Sequence, residues 1–281
     1  MSMITFRIMK PTDLPFFMQL MNLVGWGMTP QDYTRILHFS PEGCFIATEN
    51  KKDLGMVATT NYGNIAWIGN LVVQPETRGK GIGAQLMQHA MDYLESTGTQ
   101  AIRLDAVQAA IPLYRRLGFK YEYWSTRHTG TATHHKTDCT PMKPEDLDKV
   151  SNLDKQVFKA DRRHILEYFY NLHPELCFTS WEDDKLVGYI MAKEGLSNTK
   201  IGPWIAEPRH QCAEKLLYSV MNQRVGDEIW VGTPENNKHS VNLLEKLGFV
   251  PHPSSLRMCY GDCSIKENVE YTYGLGGPDK G

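Results

Sequence analysis

The chain has 281 residues, of which 41% are hydrophobic and 22% are charged, and its formal net charge is −2. This length favours two domains, and the composition excludes a disordered chain. A charge so close to zero argues against nucleic acid as a partner, because proteins that bind phosphate backbones usually carry a basic surplus. The start, MSMITFRIMK, lacks the apolar core of a signal peptide, and no apolar run is long enough to span a membrane. With six scattered cysteines, interpreted as free thiols, the sequence predicts a cytoplasmic protein without a membrane partner.

The predicted elements are helices and mostly antiparallel strands. MKPTDL opens a helix that runs to Met21, and a second helix covers roughly 30–38. CFIATE and LGMVATTNYG are predicted as antiparallel strands, and IAWIGNLVV as the next strand. A helix follows the glycine-rich stretch RGKGIG, and then come the strand AIRLDA, a short helix that ends at Gly118, and the strand FKYEYWSTR. This order predicts an α+β fold.

Four landmarks of the first half recur in the same order in the second half. Three pairs are 133 positions apart and the fourth is 130 apart, a period too long for a solenoid and typical of a duplicated domain. We therefore predict a first domain over 1–130, a linker over 131–141 and a second domain over 142–281, each with a mixed, mostly antiparallel sheet flanked by helices. The pairs are MKPTDL and MKPEDL, PEGCFI and PELCFT, IGNLVVQP and IGPWIAEP, and YRRLGF and LEKLGF.

The stretch RGKGIG, residues 78–83, lies between a predicted strand and a predicted helix. Its glycines allow positive φ angles, so that successive N–H groups can converge on an anion, and the helix adds its unpaired N–H groups and the positive end of its dipole. An ordinary surface turn explains the glycines alone equally well. A dinucleotide fingerprint from Gly79, Gly81 and Ala84, with Asp105 further on, is a third reading. Against it, QPETR separates the first glycine from the strand.

LVVQPETRGKGIGAQL resembles the acyl-CoA-binding signature of the GNAT superfamily of N-acetyltransferases. The family core Q/R-x-x-G-x-G/A corresponds to Arg78, Gly81 and Gly83. A second hallmark, Y-x-x-x-G-F, runs from Tyr114 to Phe119. The resemblance covers residues 4–127 well. GWGMTPQDYTRILHFSPEGCF and LDAVQAAIPLY also resemble a bacterial subgroup in which an intact domain is followed by a degenerate second copy.

The resemblance implies tandem GNAT folds, acetyl-CoA as the acyl donor and no metal. Tyr114 would be catalytic, as the donor of a proton to the departing sulfur. A backbone N–H of the strand, expected to be that of Val73, would stabilise the oxyanion. Loop N–H groups would hold the pyrophosphate, and the strand would pair its main chain with the pantetheine arm. The cofactor-binding residues implied are Leu71, Val72, Val73, Arg78, Gly79, Lys80, Gly81, Ile82, Gly83 and Ala84.

No residue is identified as the general base. Many family members carry a glutamate in the strand before the loop, but AWIGNLVV contains no acidic residue. An asparagine often found near the start of the tyrosine helix has no match, since its position falls at Val107. Asp105 and Gln108 are nearby polar candidates, and Asp105 could equally cap the strand end. We therefore expect deprotonation through water or by an acid from the second domain.

The second copy lacks the residues that the resemblance makes functional. RHQCAE, residues 209–214, stands opposite RGKGIG if Arg209 is set against Arg78, and it has no glycine. Glu214 would repel a pyrophosphate, and Leu244 stands where the first copy has Tyr114. We expect the second domain to shape the acceptor pocket or to form an interface. Its ending, YGLGGPDKG, is predicted to be a flexible tail.

The sequence as a whole predicts an acetyl-CoA-dependent N-acetyltransferase that acts on an amino group of a small molecule or peptide. The main alternative is a non-catalytic CoA-binding sensor or scaffold. The missing strand carboxylate favours that alternative, and the intact Tyr114 opposes it. An NAD-dependent oxidoreductase is the third reading. The acceptor and the oligomeric state are not predicted.

Overall fold

The computed structural model describes residues 3–208 and 211–281 of the chain. The chain forms two compact units, and neither unit is one continuous stretch of sequence. Unit 1 comprises the chain up to Glu122 together with Arg257–Cys263 and Pro278–Gly281. Unit 2 comprises Tyr123–Leu256 and Ser264–Gly277. No helix within the described ranges is long and apolar enough to cross a membrane.

The first repeat begins with a strand that the sequence did not predict and then follows the predicted succession of elements, and the α+β prediction is confirmed. Its first helix ends where Gly25 takes a φ of 65°. Its second helix begins at a capping box, in which the Asp32 N–H donates to Thr29 Oγ1 at 3.2 Å and the Thr29 N–H donates to the Asp32 carboxylate at 3.1 Å. The elements are β1 (Thr5–Ile8), α1 (Leu14–Val24), α2 (Pro30–Phe39), β2 (Cys44–Glu49), β3 (Lys52–Asn61), β4 (Ile65–Val73), α3 (Ile82–Ser96), β5 (Ala101–Ala106), α4 (Ile111–Arg116) and β6 (Lys120–Thr131).

The second repeat contains the same succession of elements with one more strand at its end, which confirms the predicted duplication. The elements are β7 (Thr140–Pro141), α5 (Leu147–Phe158), α6 (Arg163–Leu172), β8 (Cys177–Glu182), β9 (Lys185–Glu194), β10 (Thr199–Ala206), α7 (Cys212–Gln223), β11 (Glu228–Pro234), α8 (Lys238–Lys246), β12 (Val250–Gly261) and β13 (Thr272–Gly274).

Each unit is built on a mixed, mostly antiparallel sheet. The order of strands is β1-β2-β3-β4-β5-β12 in unit 1 and β6-β11-β10-β9-β8-β7 in unit 2, where β13 lies beside β10. Strands β1 to β4 pair antiparallel, whereas β4 and β5 pair parallel. The second repeat copies this pattern, since β8, β9 and β10 pair antiparallel and β10 and β11 pair parallel.

Helices cover both faces of the sheet in unit 1. Neighbouring residues of β2 show this, because successive side chains of a strand point to opposite faces. Phe45 packs edge-on against His89 and Tyr93 of α3, with ring centroids 4.5 and 5.4 Å apart. Ile46 belongs instead to the core cluster that contains Leu20 of α1 and residues of α2. Helices α1 and α2 therefore cover one face, and α3 covers the other.

Two strands pass from one unit to the other along their length. Most of β6 belongs to unit 2, where it pairs antiparallel with β11 from Ser125 opposite Pro234 to Thr131 opposite Glu228. The last part of β12, from Arg257, belongs to unit 1. Unit 1 is therefore completed by residues of the second repeat. The continuous ranges expected from the sequence, 1–130 and 142–281, differ from the compact units in this respect.

The prediction of a flexible tail is wrong. Part of YGLGGPDKG forms β13, and Asp279 and Lys280 are only 8% and 4% exposed. The polar composition suggested solvent, but both charged side chains have buried partners: Asp279 Oδ2 lies 2.6 Å from Arg35 Nη2, and Lys280 Nζ lies 2.9 Å from Asp279 Oδ1. Paired in this way, charges can be buried.

The prediction that all six cysteines are free thiols is wrong for two of them. Cys259 and Cys263 form a disulfide, with their Cα atoms 5.9 Å apart. A turn at Gly261, whose φ is 83°, brings the chain back after β12 and makes this approach geometrically feasible. Among the described residues, the other cysteines form no disulfide: Cys44, Cys139, Cys177 and Cys212.

Candidate active site

A gap opens between the parallel strands β4 and β5. Their register covers Ile65 opposite Ala101 to Trp67 opposite Arg103, whereas β3 stays paired with β4 as far as Gly55 opposite Val73. A bulge interrupts the β3–β4 register in this part, and Asn70 takes a φ of 55° within it. Among the described residues, the edge of β4 beyond Trp67 that faces β5 therefore has no strand partner. Its backbone groups can pair with an extended ligand, as in the addition of a strand.

The loop after β4 has the backbone of an anion site. Gly79 and Gly81 both have a φ of 78°, and a residue of ordinary φ stands between them. Alternating φ signs turn successive N–H groups to one side and form a nest for an anion. A Cβ atom at Gly79 would meet nothing within 4 Å, and one at Gly81 would meet only Gln85 Nε2, at 3.9 Å. The space beside the loop is open, so it can take a phosphate group.

The first turn of α3 adds more donors to this nest. The Gln85 N–H donates to the Gly81 carbonyl at 3.1 Å, so the N–H groups of residues 82–84 precede the hydrogen-bond ladder of the helix. Gly81 is the N-cap and contributes no side chain to satisfy them. These N–H groups and the helix dipole favour an anion at this end of α3.

Two basic residues flank the glycines. Arg78 and Lys80 are both exposed. Arg78 Nε donates to the Val73 carbonyl at 3.0 Å, which ties the guanidinium to the end of β4 and leaves its Nη groups to other partners. Both cations can therefore contact an anion bound in the nest.

Tyr114 lies on α4, which packs beside the start of α3. A Cβ atom at Gly83 would lie 3.7 Å from Val73 Cγ2 and 3.9 Å from Leu113 Cδ2, so Gly83 sits between β4 and α4. Tyr114 itself is 8% exposed, and burial raises its pKa to about 12. The phenol keeps its proton at neutral pH and can donate it. The structure thus brings the nest, the strand Leu71–Val73 and the tyrosine helix together.

The polar candidates for a base have different surroundings. The side chain of Asp105, near the end of β5, is buried, and its Oδ2 lies 3.0 Å from Arg257 Nε and 2.9 Å from Arg257 Nη2. Gln108 and Val107 are exposed. The Arg257 guanidinium also stacks over Trp67 at 5.3 Å. Sequence reasoning missed Arg257, because it belongs to the second repeat and nothing in its neighbourhood signals unit 1.

Two amide side chains near the gap were also missed. Asn70 and Gln74 are 6% and 7% exposed, and they lie on either side of Leu71–Val73. Within residues 3–208 and 211–281, the buried Asn70 Nδ2 and Gln74 Oε1 have no hydrogen-bond partner. A buried polar atom without a hydrogen-bond partner costs about 1–3 kcal/mol of stability. A polar ligand that bonds to this donor and this acceptor would remove that cost. Amide groups of an extended ligand would offer a matching acceptor and donor.

The equivalent gap of the second repeat is filled by the chain itself. Trp204 and Ile205, which align with Leu71 and Val72, pair antiparallel with Gly274 and Thr272 of β13. The Leu275 N–H then donates to the Gly232 carbonyl of β11 at 2.8 Å.

The residues of the second repeat that stand in place of the loop and the tyrosine have structural partners of their own. Arg209, which was set against Arg78, lies outside the described residues. The Glu214 carboxylate accepts from the Tyr218 hydroxyl and the Lys246 ammonium, and these bonds lower its pKa. Leu244 is fully buried in the core of unit 2.

Comparisons with known proteins agree with this geometry. Residues 13–119 match the family described as "Acetyltransferase (GNAT) family", and residues 150–274 match "Acetyltransferase (GNAT) domain". The chain is 22% identical to holothin acyltransferase of Pseudoalteromonas sp., over 84% of this chain and 81% of that protein. It is 35% identical to N-alpha-acetyltransferase 30 of Schizosaccharomyces pombe, over 31% of this chain and 63% of that protein.

Solved structures share the fold over nearly the whole chain. A protein from Pyrococcus horikoshii that is assigned as an acetyltransferase superposes with a TM-score of 0.83 at 23% identity, covering 99% of this chain and 96% of that one. A tandem GNAT protein from the clavulanic acid biosynthesis pathway superposes with a TM-score of 0.64 at 14% identity, covering 92% and 98%. The chain therefore belongs to the GNAT family of acetyltransferases, carries two GNAT domains, and transfers an acyl group from coenzyme A to an amine.

Proposed function

We propose that unit 1 transfers the acetyl group of acetyl-CoA to an amino group of a small molecule or peptide, and that the protein works in the cytoplasm. The observation that carries this proposal is the juxtaposition of the glycine nest at Gly79 and Gly81 with the unpaired edge of β4. A nest at a helix start suits a pyrophosphate, and a free strand edge suits a chain of amides.

The residues around the gap divide the binding of the cofactor among them. The nest, the first N–H groups of α3 and the cations of Arg78 and Lys80 would hold the pyrophosphate. The main chain of Leu71–Val73 would pair with the pantetheine arm. Because the Gln74 N–H donates to Leu54 of β3 at 2.8 Å, the N–H of Val73 points to the opposite edge, into the gap. This direction supports Val73 as a donor to the acetyl carbonyl oxygen.

The reaction requires that the amine lose a proton and that the departing sulfur receive one. Acetyl-CoA, when bound, supplies the activated thioester. Tyr114 keeps its proton until it donates to the departing sulfur, because burial raises its pKa to about 12. Asp105 is held by Arg257, so we propose that water takes the proton of the amine.

Thermal unfolding with acetyl-CoA, CoA and NAD in turn tests the proposal. A ligand that binds only the native state raises the stability, by about 2.7 kcal/mol at a hundred times its Kd. We expect a rise in Tm with acetyl-CoA and with CoA, and release of free thiol from acetyl-CoA with at least one member of an amine panel. Gly81→Glu places a carboxylate in the nest and should abolish the rise. A rise with NAD and none with CoA would overturn the proposal.

A further inference from the structure

A short segment far along the chain is clamped into unit 1. Asp279 Oδ2 lies 2.6 Å from Arg35 Nη2 on α2, and the Asp279 carbonyl accepts from Thr60 Oγ1 of β3 at 3.0 Å. The Tyr62 hydroxyl donates to the Lys280 carbonyl at 2.6 Å. Main chain and side chain are both held, so Pro278–Gly281 is a fixed part of unit 1.

The clamped segment lies directly over Gly69 of β4. A Cβ atom at Gly69 would lie 2.7 Å from Asp279 Cβ and 2.8 Å from Asp279 Cα, closer than real Cβ contacts. Only glycine at this position leaves room for the segment. Gly69 precedes the bulged Asn70 and lies beyond the last pair between β4 and β5, so Asp279 stands at the gap.

The segment covers the face of the sheet opposite α3. Gly69 pairs with Ala58, which belongs to the core under α1 and α2, and paired residues of antiparallel strands share a face. The nest lies at the start of α3, on the other face. A ligand held by the nest reaches the gap from the face of the sheet that α3 covers. The opposite face, where Asp279 lies, is left for the acceptor.

We propose that Pro278–Gly281 forms the floor of the acceptor site in unit 1, and that Asp279 is the positioning residue that sets how deeply an amine enters over Gly69. This inference rests on the proposed function, because it assumes that an amine enters the gap.

Asp279 acts as a clamp and not as the base. Burial alone would raise the pKa of its carboxyl, but the charges of Arg35 and Lys280 outweigh burial and bring that pKa well below its ordinary range. The carboxylate stays ionised at every assay pH and remains bound to its cations. Asp279 lies in the second repeat of the sequence, but in this proposal it holds the floor in place and does not take the proton of the amine.

Two variants act on the segment in opposite ways. Gly69→Ala pushes Asp279 away while every charge is kept. Deletion of Pro278–Gly281 removes the floor and leaves Arg35 its ion pair with Asp32, whose Oδ1 lies 3.6 Å from Arg35 Nε. Gly232→Ala is the matched control, because a Cβ atom at that strand glycine meets only Ser125 Oγ, at 4.0 Å. Hydrogen exchange on the ligand-free chain should show faster exchange in peptides that cover 66–73 for both variants and not for the control.

Kinetics then separate a floor from a merely structural contact. For both variants we expect the KM of the preferred amine to rise about tenfold, while the Kd of CoA stays within about twofold. We also expect kcat/KM for bulkier amines to increase relative to kcat/KM for smaller amines. Hydrolysis of acetyl-CoA without amine should rise several-fold as water enters the gap. Should Gly69→Ala not fold, the deletion variant decides.

The outcomes distinguish this inference from the proposed function. If wild-type protein does not bind CoA, the proposed function fails. If wild-type protein binds CoA, but both variants keep the wild-type amine KM, acceptor preference and hydrolysis rate, the floor is refuted and the proposed function stands. If no amine in the panel is used, hydrolysis and hydrogen exchange decide, and unchanged values overturn the inference.

Discussion

At Tyr114, burial decides which form of the side chain can take part in catalysis. Its pKa of about 12 means that the folded protein loses the phenolic proton only far above neutral pH. At Gly79 and Gly81, a φ of 78° decides the direction of the backbone N–H groups. Both properties belong to the residues and their immediate neighbours, which is why a motif within one segment could indicate them.

Tyr114→Phe should lower kcat by about a hundredfold or more, because general acid catalysis typically contributes that much. The Kd of CoA should not change. Wild-type kcat should not fall between pH 7 and about pH 10 through loss of this proton, since the raised pKa keeps the donor protonated in that range. Tyr121→Phe, at an exposed ring, is the control. An unchanged kcat in Tyr114→Phe would remove the residue from this role.

Other residues that we place at the candidate site could not be found from the sequence. Arg35 and Asp279 are 244 positions apart, and a short polar ending with two charges ordinarily lies in solvent. Their partnership depends on the folded chain, which brings a buried cation and Gly69 to the same point. Asn70 and Gln74 carry no motif, and only their burial without partners marks them.

Two equivalent strands, β4 and β10, have different neighbours on their gap side. The edge of β4 beyond Trp67 has no strand partner among the described residues, whereas β10 is paired with β13. The main chain of β13 is held further, because Asn237 Nδ2 donates to the Thr272 carbonyl at 2.9 Å and Ser240 Oγ donates to the Tyr273 carbonyl at 2.7 Å. The second repeat therefore satisfies its own strand edge where the first leaves room for a ligand.

Each chain should bind a single CoA, because in unit 2 β13 occupies the strand edge that corresponds to the one we propose for the pantetheine arm in unit 1. Titration calorimetry should give a stoichiometry of about one, and Gly81→Glu should remove all of the heat of binding, as expected for a lone helix N-terminal phosphate site. Cys212→Ser, at the start of α7, should leave the stoichiometry and the Kd unchanged. Two sites per chain, or residual binding in Gly81→Glu, would contradict this interpretation of unit 2.

On the scale of the whole molecule, the two repeats contribute strands to each other's units. Unit 1 contains Arg257–Cys263, and within it Arg257 pairs with the buried Asp105 and stacks over Trp67. Removing one partner of a buried ion pair costs about 3–5 kcal/mol, a large part of the stability of an ordinary domain. Unit 1 therefore depends on residues that the first repeat does not encode.

A fragment of residues 1–130 should fail to fold on its own. It lacks Arg257 and the strand beside β5, so Asp105 loses its partner and a sheet edge is exposed. Circular dichroism should show no cooperative thermal transition for this fragment. Production together with residues 131–281 should restore one, and the full chain serves as the reference. A cooperative transition of the fragment alone, near the Tm of the full chain, would show that the exchanged strand is dispensable.

The duplication could be predicted from the sequence, but the exchange of strands could not. The landmark pairs report which residues are equivalent, and β6 and β12 are equivalent strands that each follow an LGF turn. Each of these strands could pair within its own repeat or, as observed, with the other repeat. Both arrangements bury similar side chains in similar places, so the hydrophobic pattern does not distinguish them. Only the observed register shows which repeat supplies each strand.

The exchanged strand and the clamped segment also affect which codons of the second repeat are under selection. Codons 257–263 and 278–281 lie in the half of the gene that has lost the loop and the tyrosine, yet they encode parts of unit 1. Selection for acyl transfer therefore acts on both repeats. Among descendants of this gene, the second repeat should diverge freely in its former loop and slowly in these two short stretches, and a premature stop just before codon 278 should act as a lesion of the first domain.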